Sequence, residues 1–255
     1  MTESVSGGLD QVADQVAVCC RDLGAPREGS DWDRNATELL PAASVIKVGI
    51  MGALLDDVSQ GRASLSDRVP LSSEEMVEGA GVLFEMEPRD YSLAELCRLM
   101  MVVSDNSASN LCLRQVGVDR LNRWFEKRGY QAKIQRFFMH PVVDGKENLM
   151  TAESAVLMLA DLYAGVGLEP ELRDFAVNCL RRQQYREKIP LLLPEDLVVG
   201  HKTGELDGVR HDAGVVETSE PYALAIFTAH GKEPWLVDRA MALCSLNIYE
   251  SKKKK

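Results

Sequence analysis

The chain has 255 residues, 45% hydrophobic and 27% charged; that is the balance of a soluble globular protein, long enough for one compact unit or two intimate lobes and too well mixed for a string of small modules. A net charge of -10 and an isoelectric point near 5.0 give a surface that repels polyanions, which argues against nucleic acid and acidic lipid as partners. The one basic run, Lys252 to Lys255, reads as a solvated tail.

Cys19, Cys20, Cys97, Cys112, Cys179 and Cys244 are scattered, mostly among apolar neighbours, and a domain of this size needs no disulfide framework, so they read as buried thiols. His140, His201, His211 and His230 show no metal-ligand spacing, and no metal or other cofactor is expected. Met1 to Gly8 lacks the basic start and apolar core of a secretory signal, and no segment of ~18 apolar residues could span a membrane. The chain as written is therefore expected in the cytoplasm; a mature form headed by an added Met1 would instead be periplasmic or secreted. The oligomeric state stays open.

In chain order, Val12 to Leu23 holds the β-branched apolar run Val16 to Cys20, bounded by Gly24 and Pro26, and predicts a core strand. Val45, Ile46, Gly49, Ile50, Ala53 and Leu54 recur at helical spacing from about Ser44 to Gly61. Ser92 with Glu95 is a capping box opening a helix to Val103, another runs from Asp119 to a stop at Gly129, and Thr151 caps a third ending at Gly165. After Pro194 the period shortens: Leu197 to Gly204, Val209 to Glu217 and Tyr222 to Ala229 read as successive antiparallel strands, and Trp235 to Tyr249 as a closing helix. Strands at both ends with helices between them predict an α+β class, an antiparallel β-sheet flanked by terminal helices. As one catalytic domain over 1–255, its α+β lobe spans about 9–43 and 190–250, and an all-α lobe is inserted at about 44–189.

Three short elements carry chemistry. Ser44-Val45-Ile46-Lys47 puts serine and lysine on one helix face near its positive N-terminal end. Taken alone it is weak: a capping serine with a surface lysine is the commoner reading, and Ser251 with Lys254 repeats the spacing in the tail. Ser104-Asp105-Asn106 falls at a helix junction, where an ordinary turn would suffice, and Lys202-Thr203-Gly204 closes an apolar strand, where a plain turn would also suffice. Their occurrence together and in this order is what raises them above those bland readings.

The set Ser-x-x-Lys, Ser-Asp-Asn and Lys-Thr-Gly resembles that of class A serine β-lactamases and penicillin-binding, DD-peptidase-like serine hydrolases. Pro41 to Lys47 is similar to the family's approach to its nucleophile helix, Glu78 to Leu83 to its glycine-containing loop, and the last hairpins likewise. The resemblance implies an acyl-enzyme at Ser44 with Lys47 as base, its pKa lowered by burial and by the cation Lys202. It further implies an oxyanion hole from the backbone N–H groups of Ser44 and Glu205, next after Gly204. Ser104 would protonate the leaving nitrogen and Asn106 hold the substrate's amide arm, while Lys202, Thr203 and Arg210 bind a substrate carboxylate. The expected partner is a small β-lactam or peptide-like substrate.

One stretch departs from the pattern. Class A β-lactamases carry a Glu-x-x-Asn element whose glutamate activates the deacylating water; here Arg136 to Thr151 contains none and is shorter. Glu147 reads as an anchor at the loop base and His140 as structural. Hydrolysis of a β-lactam or related amide with slow deacylation is therefore expected. A DD-peptidase, another amidase or esterase of the same fold, or a β-lactam sensor that stays acylated are the alternatives. A Gly-x-Ser-x-Gly elbow, the mark of another serine-hydrolase fold, is lacking.

Overall fold

The structure is a computed structural model that describes residues 6–24 and 32–253. The expected strand stop at Pro26, the first residues of the N-terminal segment (1–5) and the tail lysines Lys254 and Lys255 lie outside the described residues. From the N-terminus the elements are α1 (Leu9–Val12), β1 (Ala13–Asp22), β2 (Trp32–Arg34), β3 (Leu40–Pro41), a 3-10 turn (Ala43–Ile46), α2 (Lys47–Ser59), β4 (Arg68–Pro70), β5 (Asp90–Ser92), α3 (Leu93–Val102), α4 (Asn106–Val116) and α5 (Val118–Arg128). There follow β6 (Ala132–Lys133), β7 (Leu149–Met150), α6 (Ala152–Ala164), α7 (Pro170–Arg181), β8 (Val199–Leu206), β9 (Val209–Val216), β10 (Tyr222–Gly231) and α8 (Pro234–Lys252).

Five strands form the main antiparallel sheet in the order β2-β1-β10-β9-β8, so an N-terminal strand pairs with the last one. The sheet is buried on both faces, which is why its strands read as apolar runs without clean alternation. On β1 and β10 the residues Ala17, Cys19, Ala223, Ala225 and Phe227 join the core shared with the inserted helices. Their neighbours Val18, Cys20, Leu224 and Ile226 pack with Met241, Cys244 and Ile248 of α8. All six cysteines are buried free thiols.

Helix α2 runs through the middle of the helical part and is buried along nearly its whole length, as expected of a helix apolar on all sides. Two glycines make that possible: a Cβ at Gly49 would lie 2.4 Å from the Phe125 ring, and one at Gly52 2.9 Å from Trp124. The Ser92–Glu95 capping box is present, and Thr151 caps α6 by accepting from Ser154 N. No described helix is long and apolar enough to cross a membrane.

The start of the helix expected from about Ser44 and both ends of the strand expected over Leu197 to Gly204 differ from the sequence reading: Ser44 lies in the 3-10 turn Ala43–Ile46 and the α-helix begins only at Lys47. Strand β8 begins at Val199 and continues past the Lys-Thr-Gly triplet to Leu206, so the triplet lies inside the strand. The reason is the two-residue turn Asp207-Gly208, with Gly208 at φ +66°, which keeps Glu205 paired with Arg210 and Leu206 with Val209. The short strands β3 to β7 went unread because two- and three-residue pieces carry no periodicity. They matter for the site: β3, β7 and β6 form a small sheet, and Ala42 N donates to Asn148 O at 2.7 Å, fixing the segment before Ser44 to the base of the 136–148 loop.

Candidate active site

Ser44 lies in the 3-10 turn that feeds directly into α2, half-buried, just after Ala43, whose φ of +45° is an uncommon left-handed conformation for a residue other than glycine. The same turn packs against β8. A Cβ on Gly204 would come within 3.0 Å of Ser44 N and 3.1 Å of Ala43 Cβ, so only glycine lets the strand approach the nucleophile turn this closely.

Lys47, the first residue of α2, is fully buried and ends in a polar cage. Its Nζ donates to Ser104 O at 2.7 Å, to Asn106 Oδ1 at 2.9 Å and to Ser104 Oγ at 3.1 Å. It is not hydrogen-bonded to Ser44. Ser104 sits between α3 and α4 with φ +56°, and this left-handed turn carries its hydroxyl between two amines, since Lys202 Nζ lies 3.0 Å from the same Oγ. Burial, then the neighbouring Lys202 charge, drives the Lys47 pKa well down, with Asp105 opposing. Lys202 is brought down to about 7, first by burial, against the pull of Asp212.

Asp105 and Asn106 hold this arrangement from behind. Asp105 caps α4 through Ala108 N at 2.8 Å, and its other oxygen accepts from Val82 N and Leu83 N at 2.7 and 2.8 Å. The glycine-containing loop of Glu78 to Leu83 is thereby pinned to α4; a Cβ on Gly81 would collide with Asp105 at 2.2 Å. Asn106 is committed at both ends of its amide, to Lys47 through Oδ1 and to Glu78 O through Nδ2 at 3.0 Å.

Along β8, Lys202 is fully buried and also donates to Thr203 O at 2.8 Å, while Thr203, Gly204 and Glu205 border the cleft. Arg210 borders neither half of that cleft: its Nε bonds Asp238 at 2.8 Å and its Nη2 lies 3.1 Å from Glu205 Oε1. Lys188, which sequence reasoning passed over, is fully buried 2.5 Å from Glu205 Oε1 and 3.6 Å from Asp238. Burial pushes the Glu205 carboxyl upward, but Lys188 and Arg210 more than reverse this and leave it below its ordinary value.

The 136–148 loop closes the other side. Glu147 is gripped by Arg136 through Nε at 2.9 Å and Nη2 at 2.7 Å, and Asn148 Oδ1 accepts from Gln135 N and Arg136 N. The loop residue that faces Lys47 is Phe138, its ring centroid 4.5 Å from Nζ, a cation–π distance. Asn110 on α4 locks it there: Phe138 N donates to Asn110 Oδ1 at 2.8 Å and Asn110 Nδ2 donates to Phe138 O at 3.1 Å. His140 stacks at a tilt on Phe137 and borders the cleft. Nothing in the sequence marked Phe138 or Asn110, because Phe138 lies in an irregular loop and only the fold brings Asn110 of α4 against it.

The cleft has two halves that share Ser44, Gly79, Ala80 and Glu205. One, of about 260 Å³, adds Ser104, Tyr185, Glu187 and Thr203. The other, of about 410 Å³, adds Asn106, Phe138, His140 and Glu147. Of the nine residues singled out in the sequence, Ser44, Ser104, Asn106, Thr203, Gly204 and Glu205 border this cleft, Lys47 and Lys202 are fully buried behind Ser104, and Arg210 does not border it.

The family model described as "Beta-lactamase enzyme family" matches residues 2–251. A β-lactamase of Rhodobacter capsulatus is 28% identical over 186 residues, an alignment covering 71% of this chain and 62% of that protein; the chain thus spans less than two thirds of that relative. Among solved structures, a β-lactamase of Sphaerobacter thermophilus superposes with a TM-score of 0.90 at 24% identity, covering 98% of this chain and 96% of the other. A mutant of PBP-A, solved as an acyl-enzyme complex with penicillin-G, superposes with a TM-score of 0.85 at 23% identity over 98% and 97% of the two chains. At these identities the structural likenesses establish the fold, α+β with the class A arrangement.

Proposed function

The chain belongs to the β-lactamase enzyme family, and from that premise we propose that it is a serine hydrolase that opens the amide bond of a β-lactam or a related amide through an acyl-enzyme on Ser44 and releases that acyl group slowly. The observation that carries the reading is Ser104 Oγ held between two buried amines, 3.1 Å from Lys47 and 3.0 Å from Lys202. Two ammonium groups on one hydroxyl in a buried site repel, so one of them gives up its proton, and the amine that does becomes a base.

In this reading Ser44 Oγ attacks the carbonyl carbon as its proton passes to neutral Lys47. The two groups are not yet hydrogen-bonded, as is common before substrate fills a site. The oxyanion is stabilised by the N–H groups of Ser44 and Glu205, brought together by the close approach at Gly204. Collapse breaks the carbon–nitrogen bond, Ser104 protonates the leaving nitrogen, and the lysines restore the Ser104 proton. Thr203 and Lys202 orient the substrate from the strand. Asn106 holds Lys47 directly and borders the acyl half of the cleft.

Slow release has its own support. Hydrolysis needs a base to activate water, and in the 136–148 loop the carboxylate of Glu147 is tied to Arg136 while Phe138 covers Lys47. That favours a long-lived acyl-enzyme, whether the natural reaction is β-lactam hydrolysis, DD-peptidase or other amidase chemistry, or sensing. Intact mass followed over time with a penicillin or a chromogenic cephalosporin tests the proposal. The expected result is one acyl adduct on Ser44 that forms fast and decays slowly; no adduct in the wild type, or an adduct that persists in Ser44→Ala, overturns it.

A further inference from the structure

We infer that His211, which lies outside all three motifs, is a positioning residue for catalysis: by donating to the carbonyl of Pro41 it fixes the turn that aims the hydroxyl and the backbone N–H of Ser44. The inference rests on the reading of Ser44 as nucleophile.

The face of β9 that sends Val209, Ala213 and Val215 into the core shared with the helices also carries His211, which is fully buried. Its ring stacks on Phe227, its direct partner on β10, with centroids 4.1 Å apart and planes 7° from parallel. Nε2 lies 2.7 Å from Pro41 O. A carbonyl only accepts, so Nε2 carries the proton. In the neutral ring Nδ1, which also lies 2.8 Å from Arg210 O, then accepts from Thr228 N at 3.1 Å. Burial outweighs the pull of the two carbonyls and brings the His211 pKa down to about 4, so the ring stays neutral.

The peptide unit that offers Pro41 O to His211 also sends Ala42 N to Asn148 O at 2.7 Å. One peptide plane is thus clamped from β9 at one end and from the 136–148 loop at the other. Ala43 follows at φ +45°, and Val45 N closes onto Ala42 O at 3.2 Å. A left-handed alanine persists only where its surroundings over-determine it. Of the two clamps, the one from Asn148 is backbone, so His211 is the side chain on which the turn depends. Ser44 N comes next, where β8 already approaches as closely as Gly204 permits; a shift of the turn therefore moves this oxyanion donor relative to the Glu205 N–H. His211 does not border the cleft and acts only through Pro41.

Acylation of Ser44 by a penicillin, followed by intact mass at several concentrations, yields a limiting rate and a half-saturating concentration. His211→Phe keeps a ring to stack on Phe227 but has no donor. Its limiting rate is expected to fall about tenfold or more, as for a misplaced oxyanion donor, while the half-saturating concentration stays within about twofold. His211→Gln, whose amide nitrogen can take the place of Nε2, is expected to recover most of that loss. In the wild type, NMR of the ring nitrogens should show His211 neutral and protonated on Nε2 at pH 7, a measurement that needs no variant to fold. A folded His211→Phe that acylates at the wild-type rate, a loss confined to the half-saturating concentration, a folded His211→Gln no faster than a folded His211→Phe, or a wild-type ring protonated on Nδ1 alone overturns the proposal. If a fluorophosphonate labels Ser44 while any of these results is found, only this inference falls; if nothing modifies Ser44, the nucleophile assignment falls with it.

Discussion

Replacing Phe138 by Glu converts the contact that shields Lys47 into one that can activate water. The ring centroid lies 4.5 Å from Lys47 Nζ, and a glutamate carboxylate extends about as far from the backbone as the centre of a phenyl ring, so it arrives within reach of the amine. At that separation, with an effective dielectric of about 20, the attraction is ~4 kcal/mol, enough to offset much of the cost of burying the carboxylate. The same attraction raises the Lys47 pKa, so acylation slows, by about tenfold, while a positioned base speeds deacylation by ~10²- to 10⁴-fold. Loss of ring packing costs about 3 kcal/mol of stability at most, since the site is not left empty. The assay is a burst experiment with a good β-lactam, paired with the decay of the acyl adduct by mass. The wild type should give a burst of about one product per enzyme and a slow steady state, Phe138→Glu a small burst and a faster steady state, and Phe138→Leu no acceleration. A Phe138→Glu protein that folds and acylates but loses its adduct at the wild-type rate refutes the reasoning that this loop position limits hydrolysis.

Ser44→Ala should abolish covalent labelling by β-lactams and fluorophosphonates with little change in melting temperature, checked by mass and thermal melts. Gly204→Ala should cut acylation by about 10²- to 10³-fold, the cost of one misplaced oxyanion donor, because its Cβ would sit 3.0 Å from Ser44 N; an unchanged rate would dissociate strand approach from catalysis. Lys202 has a folded-state pKa of about 7 against 10.5 for a free lysine, so between these values the unfolded chain binds more protons and stability rises with pH. Lys202→Met should therefore be inactive yet more stable, by a few kcal/mol near pH 7 and by progressively less toward pH 10.5; melts across that range would reveal the opposite slope if the lysine were stabilised by its charge.

The α+β order could be read from the chain because long elements announce themselves: Val16 to Cys20 by β-branching, Thr151 and Ser92 by their caps, Gly129 and Gly165 by their left-handed stops. The three motifs were legible for a related reason, since each sits at an element end or inside a strand whose position the periodicity already fixed. What stayed hidden depends on contacts between distant segments. Asn110 looks like a surface position on a helix, yet it fastens the backbone of Phe138, and with it the 136–148 loop, to α4. Lys188 lies in a stretch with no periodicity and becomes a buried partner of Glu205 only through folding. The hydroxyl of Ser104 was expected near the leaving group, but its place between both lysines follows from a left-handed turn that no propensity foretells.

Because β1 finds its partner in β10, pairing Val18 with Ile226 and Cys20 with Leu224, the sheet cannot close until almost the whole chain has left the ribosome. Contacts of such long sequence separation are slow to form, and the apolar β1 must wait unpaired while the helical segment is synthesised. Lys202 belongs to the same late-arriving strands, whereas Ser44 and Lys47 belong to the early helix, so reactive geometry is the last thing assembled. Covalent labelling of Ser44 by a fast acylating probe during refolding would then serve as a clock for sheet closure, running behind the gain of helical signal.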